Sequence, residues 1–100
     1  MVIDLKTKSR QWYTLFVFSR LAMWIEKDDK LFGTFEFNDF VQAFAFMTQV
    51  ALIAEKMNHH PDWSNIYNKV EIRLSTHDAG NIVTTVDREM AAIIESLYNR

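Results

Sequence analysis

The twenty residues 38–57, NDFVQAFAFMTQVALIAEKM, decide the fold. Asp39 followed three residues on by Gln42 has the spacing of a capping box, so a helix is expected from Phe40 to Met57. Its apolar positions are not confined to one stripe. Phe40, Phe44, Met47, Ala51 and Ala54 form one row, and Ala43, Phe46, Val50, Ile53 and Met57 form another. The polar remainder is a thin strip, chiefly Gln42, Gln49 and Lys56. A helix apolar nearly all round is covered on more than one side. In a chain of 100 residues the second cover is expected to be another subunit.

Working outward, Met23 to Lys27 and Lys30 to Phe37 read as two strands around a turn at Asp28-Asp29. Leu31, Gly33, Phe35 and Phe37 alternate there with Phe32, Thr34 and Glu36. Upstream, Ser9 to Leu21 reads as a first helix with Ser9 as its cap. Downstream, Ser64 to Tyr67 and Val70 to Thr76 form a second hairpin turning at Asn68-Lys69. Val70, Ile72 and Leu74 are expected to face the core, with Glu71, Arg73 and Ser75 pointing away. After a loop containing Gly80, Thr84 or Thr85 caps a last helix. Asp87 and Glu89 suit its positive N-terminus, and Val86, Met90, Ile93 and Leu97 are its expected buried stripe. The order α-β-β-α-β-β-α in a single domain, residues 1–100, predicts an α+β two-layer sandwich: a four-stranded antiparallel sheet with helices on one face.

Composition narrows the functions. Forty-nine per cent of the residues are hydrophobic, with eight Phe, three Trp and three Tyr, which is much to bury in one small domain and again points to subunit contacts. The net charge is -2 with the charges interspersed, which argues against a broad basic surface for nucleic acid. Without cysteine there is no disulfide framework, thiolate nucleophile or Cys-containing zinc site. The N-terminal residues lack the shape of a signal peptide, and the apolar run Leu15 to Ile25 is too short for a membrane span and contains Arg20. A soluble intracellular protein is expected.

All three histidines follow the long helix: His59 and His60 directly, His77 beyond the second hairpin. Pro61 biases His60 towards an extended backbone, so the helix is expected to stop near Met57 or Asn58, the latter a reasonable left-handed terminator. His59 and His60 then leave a helix C-terminus, whose partial negative charge favours an imidazolium. Three groups that titrate near neutrality could protonate a leaving oxygen and accept a proton nearby. A metal site fits less well, because neighbours in an extended segment point to opposite sides and converge poorly on one ion. Taken singly, the residues around the histidines have plain readings: Glu55 a solvated helix residue, Trp63 a packing residue, Asp87 a charge at a helix start. No glycine-rich phosphate loop or Ser/His/Asp order is present.

Glu55-Lys56-Met57-Asn58-His59-His60-Pro61-Asp62-Trp63, followed by Tyr67-Asn68-Lys69-Val70 and Leu74-Ser75-Thr76-His77, closely resembles pterin-4a-carbinolamine dehydratase. The likeness runs upstream through Phe35 to Phe40 and Ala43 to Leu52, and covers roughly residues 12 to 98. The His-His-Pro-x-Trp and Thr-His pieces together are highly specific. The resemblance implies dehydration of 4a-hydroxytetrahydropterin to quinonoid dihydropterin, in recycling the cofactor of aromatic amino acid hydroxylases, with no metal or organic cofactor. It implies His59, His60 and His77 as catalytic histidines, the roles of acid and base unassigned among them. Glu55, Pro61, Trp63, Thr76 and Asp87 match residues around the family's pterin pocket. It further implies a homodimer or homotetramer through the 40–57 helix and sheet edges. Animal members also serve as dimerisation cofactor of a hepatocyte homeodomain transcription factor. The expected location is cytoplasmic, and also nuclear. Two departures stand out: the hairpin from Trp24 to Phe32 is about two residues shorter than in the animal proteins, and the loop from His77 to Asp87 is about one residue longer. The rival to an enzyme is an oligomeric interaction protein whose helix surface pairs with a partner's helix.

Overall fold

A computed structural model describes residues 23–99, so the expected helix from Ser9 to Leu21 lies outside the described residues. Four strands, β1 (Trp24–Lys27), β2 (Lys30–Glu36), β3 (Asp62–Ile66) and β4 (Lys69–Leu74), form one antiparallel sheet in the order β1-β2-β4-β3. Helix α1 (Phe40–Met57) links the hairpins, and α2 (Thr85–Tyr98) follows β4 after a short 3₁₀ turn at His77–Ala79. The sheet's alternation places Leu31, Phe35, Val70, Ile72 and Leu74 in one buried face. Ala43, Phe46, Val50 and Ala54 of α1 and Met90, Ala91 and Ile94 of α2 close over it. This is the expected α+β sandwich.

The turn chemistry explains the register. Asp28 and Asp29 both take positive φ (53° and 61°) between the paired Lys27 and Lys30, as a two-residue hairpin of type I′ requires. The second hairpin turns at Tyr67-Asn68, one residue earlier than expected, with Ile66 paired to Lys69. Tyr67, not a small residue, takes the left-handed conformation there (φ 49°). Asn68 explains the choice: its backbone carbonyl accepts from the Phe37 amide at 2.9 Å, and its side-chain amide donates to the Phe37 carbonyl at 2.8 Å. The turn is thus fastened to the end of β2. Gly33 is required by close approach, since a β-carbon there would lie 2.8 Å from the Trp24 ring and 3.0 Å from Phe35.

Both ends of α1 are set by side chains. Asp39 accepts from the Gln42 amide at 2.9 Å, whereas Gln42 returns its oxygen to the Asn38 amide rather than to Asp39 (3.4 Å), so the capping box is shifted by one residue on its second arm. At the far end Asn58 adopts φ 53°, and the His59 amide donates to the Ala54 carbonyl while the Asn58 amide donates to that of Glu55. These are the two bonds of a Schellman motif. The expectation that α1 is apolar beyond its core face holds, for Phe40, Val41, Phe44 and Leu52 are all exposed.

The expected stripe of α2 needs correction. Val86 and Ile93 are exposed, and Leu97 is only half-buried, while Asp87, Met90, Ala91, Ile94 and Glu95 are buried. Adjacent Ile93 and Ile94 make the helical phase ambiguous from hydrophobicity alone. The phase is fixed instead by Asp87, a polar residue turned inward.

Candidate active site

Three chain segments meet at one end of the sheet: the end of α1, the residues just past β4, and the start of α2. The Schellman motif delivers His59 beside α2. Its Nε2 lies 2.6 Å from Oδ1 of Asp87, a carboxylate with no exposed side-chain surface. Asp87 stands at the third position of α2, and its Oδ2 accepts from the Thr84 amide at 2.8 Å. The Asp87 amide in turn donates to the Thr84 side chain, which completes a capping box. Thr76, just beyond β4, donates its hydroxyl to the same Oδ2 at 2.7 Å.

Electrostatics follow from this shell. Burial pushes the Asp87 carboxyl up, but the Thr84 amide, the Thr76 hydroxyl and the His59 imidazole outweigh it and hold the group below the usual carboxylate range. Asp87 is therefore an anion at neutral pH. Its contact with Nε2 is then donated by the ring, and when His59 is neutral its proton sits on Nε2 and Nδ1 is the nitrogen left to act.

The other two histidines are more open. His60 is 59% exposed, and its Nε2 lies 2.9 Å from Glu55 Oε1, which is 82% exposed. His77 is 90% exposed, with Nδ1 3.2 Å from its neighbour Asp78. Each imidazole thus has a carboxylate of its own, and among the described residues no hydrogen bond joins one ring to another. His77 enters the same neighbourhood through the chain, since Thr76 immediately before it touches Asp87. Among the described residues no group of three or more His, Asp or Glu side chains is placed to hold a metal ion. No helix among them is long and apolar enough to cross a membrane.

The remaining sequence candidates divide. Glu55 reaches His60; Pro61 is half-buried; Trp63 is half-buried and packs against the core on the helix side of the sheet. Thr84 and Asp78 are not among the sequence candidates for the site. The spacing Thr84-x-x-Asp87 carried a signal for the first, and Asp78 had none beyond its place next to His77.

The protein is thus a two-layer α+β domain that carries a buried carboxylate–imidazole pair at one end of its sheet, with two further histidines exposed. The chain belongs to the pterin 4 alpha carbinolamine dehydratase family, whose model matches residues 5–97, and it is a dehydratase. A Drosophila melanogaster pterin-4-alpha-carbinolamine dehydratase is 52% identical over 75 residues, 75% of this chain and 38% of that protein. A relative from Prochlorococcus marinus (strain NATL2A) is 51% identical over 76 residues, 76% of this chain and 79% of its own. Among solved structures, a transcriptional coactivator/pterin dehydratase from Brucella Melitensis superposes with a TM-score of 0.73 at 39% identity, covering 82% of this chain and 92% of the other. A pterin dehydratase-like protein identified as a RuBisCO assembly factor in the alpha-carboxysome gives 0.64 at 27% identity, covering 75% and 88%.

Proposed function

We propose that this protein dehydrates 4a-hydroxytetrahydropterin to quinonoid dihydropterin by histidine acid–base catalysis, within recycling of the hydroxylase cofactor. The observation that carries it is His59, oriented by a buried Asp87 anion and followed by the accessible His60. The reaction breaks the C4a–O bond, removes the proton from N5 and forms the C4a=N5 double bond, releasing water. One group must protonate the departing hydroxyl and another must take the N5 proton. Nδ1 of His59 suits the second task, because the carboxylate behind the ring stabilises the imidazolium formed. His60 and His77, accessible and each beside a carboxylate, are the candidates for the first. Glu55 then orients His60, Pro61 and Trp63 shape the approach, and Asp87 acts through His59 without touching the pterin.

The test is the rate of quinonoid dihydropterin formation from freshly generated 4a-hydroxytetrahydropterin, with wild type and His60→Ala side by side. Acceleration by the wild type, cut by about 10²–10⁴-fold in the variant, is expected. A folded wild type that does not accelerate the reaction contradicts the proposal.

A second reading rests on the exposed Phe40, Val41, Phe44 and Leu52 of α1. An apolar face of this kind favours a partner. We assign it to self-association as a dimer or tetramer, with the sheet edges β1 and β3 as further contacts. A single-chain mass by sedimentation at micromolar concentration would refute that. The coactivator and assembly roles of the two structural relatives make a protein partner the alternative occupant. Substitutions on α1 that abolish partner binding and leave turnover intact would identify it.

A further inference from the structure

The two threonines around Asp87 form a device that the acid–base reading does not itself require. Thr76 has one hydroxyl proton, and the 2.7 Å contact with Asp87 Oδ2 uses it. The equally short contact between Thr76 Oγ1 and Thr84 Oγ1 (2.7 Å) must then be donated by Thr84. Thr84 in turn accepts from the Asp87 amide, through its carbonyl at 3.1 Å and through its hydroxyl in the capping box. The hydrogen bonds therefore run in one direction around a closed ring: Asp87 amide to Thr84 hydroxyl, to Thr76 hydroxyl, and back to the Asp87 carboxylate. The ring and the Thr84 amide occupy Oδ2, and among the described residues His59 is the partner of Oδ1.

Thr76 is itself clamped. Its amide donates to the Ile82 carbonyl at 2.8 Å, and its carbonyl accepts from the Asn81 amide at 2.9 Å. That pair closes the neck of the 77–81 loop, where Gly80 and Asn81 both take positive φ. The loop thus springs from a fixed Thr76, not a loose one.

We propose that Thr76 and Thr84 are positioning residues whose directed hydroxyl ring locks the Asp87 carboxylate, so that His59 keeps its proton on Nε2 and presents Nδ1. This rests on the dehydratase reading for its kinetic consequence but not for its structural one. Without the Thr76 hydroxyl, Oδ2 loses its 2.7 Å hydroxyl donor, and the Thr84 hydroxyl is left with only a long 3.5 Å contact to the same oxygen. The carboxylate is then free to turn, and the constraint on the imidazole tautomer relaxes.

The test compares Thr76→Val, which keeps the branched shape, with Thr76→Ser, which keeps the hydroxyl. Two quantities are read: kcat and KM separately, and the ring ¹⁵N shifts of His59, which report its tautomer. For Thr76→Val we expect kcat to fall roughly 10–100-fold, the range for losing a hydrogen bond to a charged group, with KM unchanged. We also expect the His59 spectrum to move from the Nε2–H pattern to a mixture of tautomers. Thr76→Ser should restore both. A Val variant with the wild-type His59 spectrum overturns the proposal, whatever its rate. A raised KM with unchanged kcat also overturns it, because Thr76 would then be a substrate contact. Should the Val variant not fold, Thr76→Ala is read by the same spectrum with the same two outcomes. If the wild type proves inactive, the spectrum still decides on the ring while the dehydratase reading fails.

Discussion

Asp87→Asn is expected to lower the dehydration rate by roughly 10²–10⁴-fold, the range spanned by lost acid–base help and by a wrong histidine tautomer behind an amide. The reason is directional. Asp87 accepts from the Thr84 amide and the Thr76 hydroxyl at Oδ2, and from His59 at Oδ1. An asparagine must turn its NH₂ towards one of these sides. Facing Oδ2's partners, it sets donor against donor. Facing His59, it forces Nε2 to accept and moves the ring proton to Nδ1, the nitrogen proposed to take the N5 proton. The same substitution has a pH signature. The Asp87 carboxyl lies below its ordinary value of 3.8, so the carboxylate's contribution to stability is complete above that value and is lost as pH falls through the folded-state value. Denaturant unfolding should therefore separate wild type from Asp87→Asn at pH 6 to 7, and the gap should shrink below about pH 4. A gap that stays constant with pH would mean that the carboxylate is not held as an anion by these partners.

Phe35→Ala should be the most damaging substitution in the sheet. Phe35 is wholly buried, and its ring meets Trp24 at 5.5 Å, Phe46 at 5.2 Å and Tyr98 at 5.0 Å between centroids. It therefore joins the first hairpin to both helices. Loss of a buried Phe costs about 3–5 kcal/mol through transfer and cavity terms, a large part of the roughly 5–15 kcal/mol that stabilises a small domain. Tyr98 adds a second tie between the layers by donating its hydroxyl to the Glu36 carbonyl. Urea unfolding measures the loss. A cost below about 1 kcal/mol would mean that the surrounding rings collapse into the gap.

Much of this architecture is legible where local chemistry and tertiary structure agree. Asp39 and Asn58 bound α1 as their side chains predict, and the alternation of Val70, Ile72 and Leu74 gives the buried face of β4 directly. Legibility fails where a distant contact overrides a local preference. The second turn falls on Tyr67-Asn68 because Asn68 is fastened to Phe37, thirty-one residues away. The phase of α2 follows Asp87, whose partners His59 and Thr76 lie twenty-eight and eleven residues off. Periodicity registers apolar residues, so it cannot see a carboxylate turned inward. The histidines themselves are plain in the sequence. Their unequal settings are not: His59 sits against a buried anion, while His60 and His77 pair with exposed carboxylates. Asp87's position at a helix start is legible and hides its second role. One side chain caps α2 and orients an imidazole, and the capping spacing Thr84-x-x-Asp87 signals only the first.

The most direct test of the acid–base account is the single-turnover dehydration rate of His59→Ala. The substrate is 4a-hydroxytetrahydropterin, and the comparison is with wild type and with the uncatalysed reaction. A fall of about 10²–10⁴-fold towards the uncatalysed rate, in a variant that binds pterin and remains folded, is the predicted result. A folded His59→Ala protein that turns over at the wild-type rate would contradict it, and would shift the chemistry to His60 and His77, leaving the His59–Asp87 pair as a structural tie.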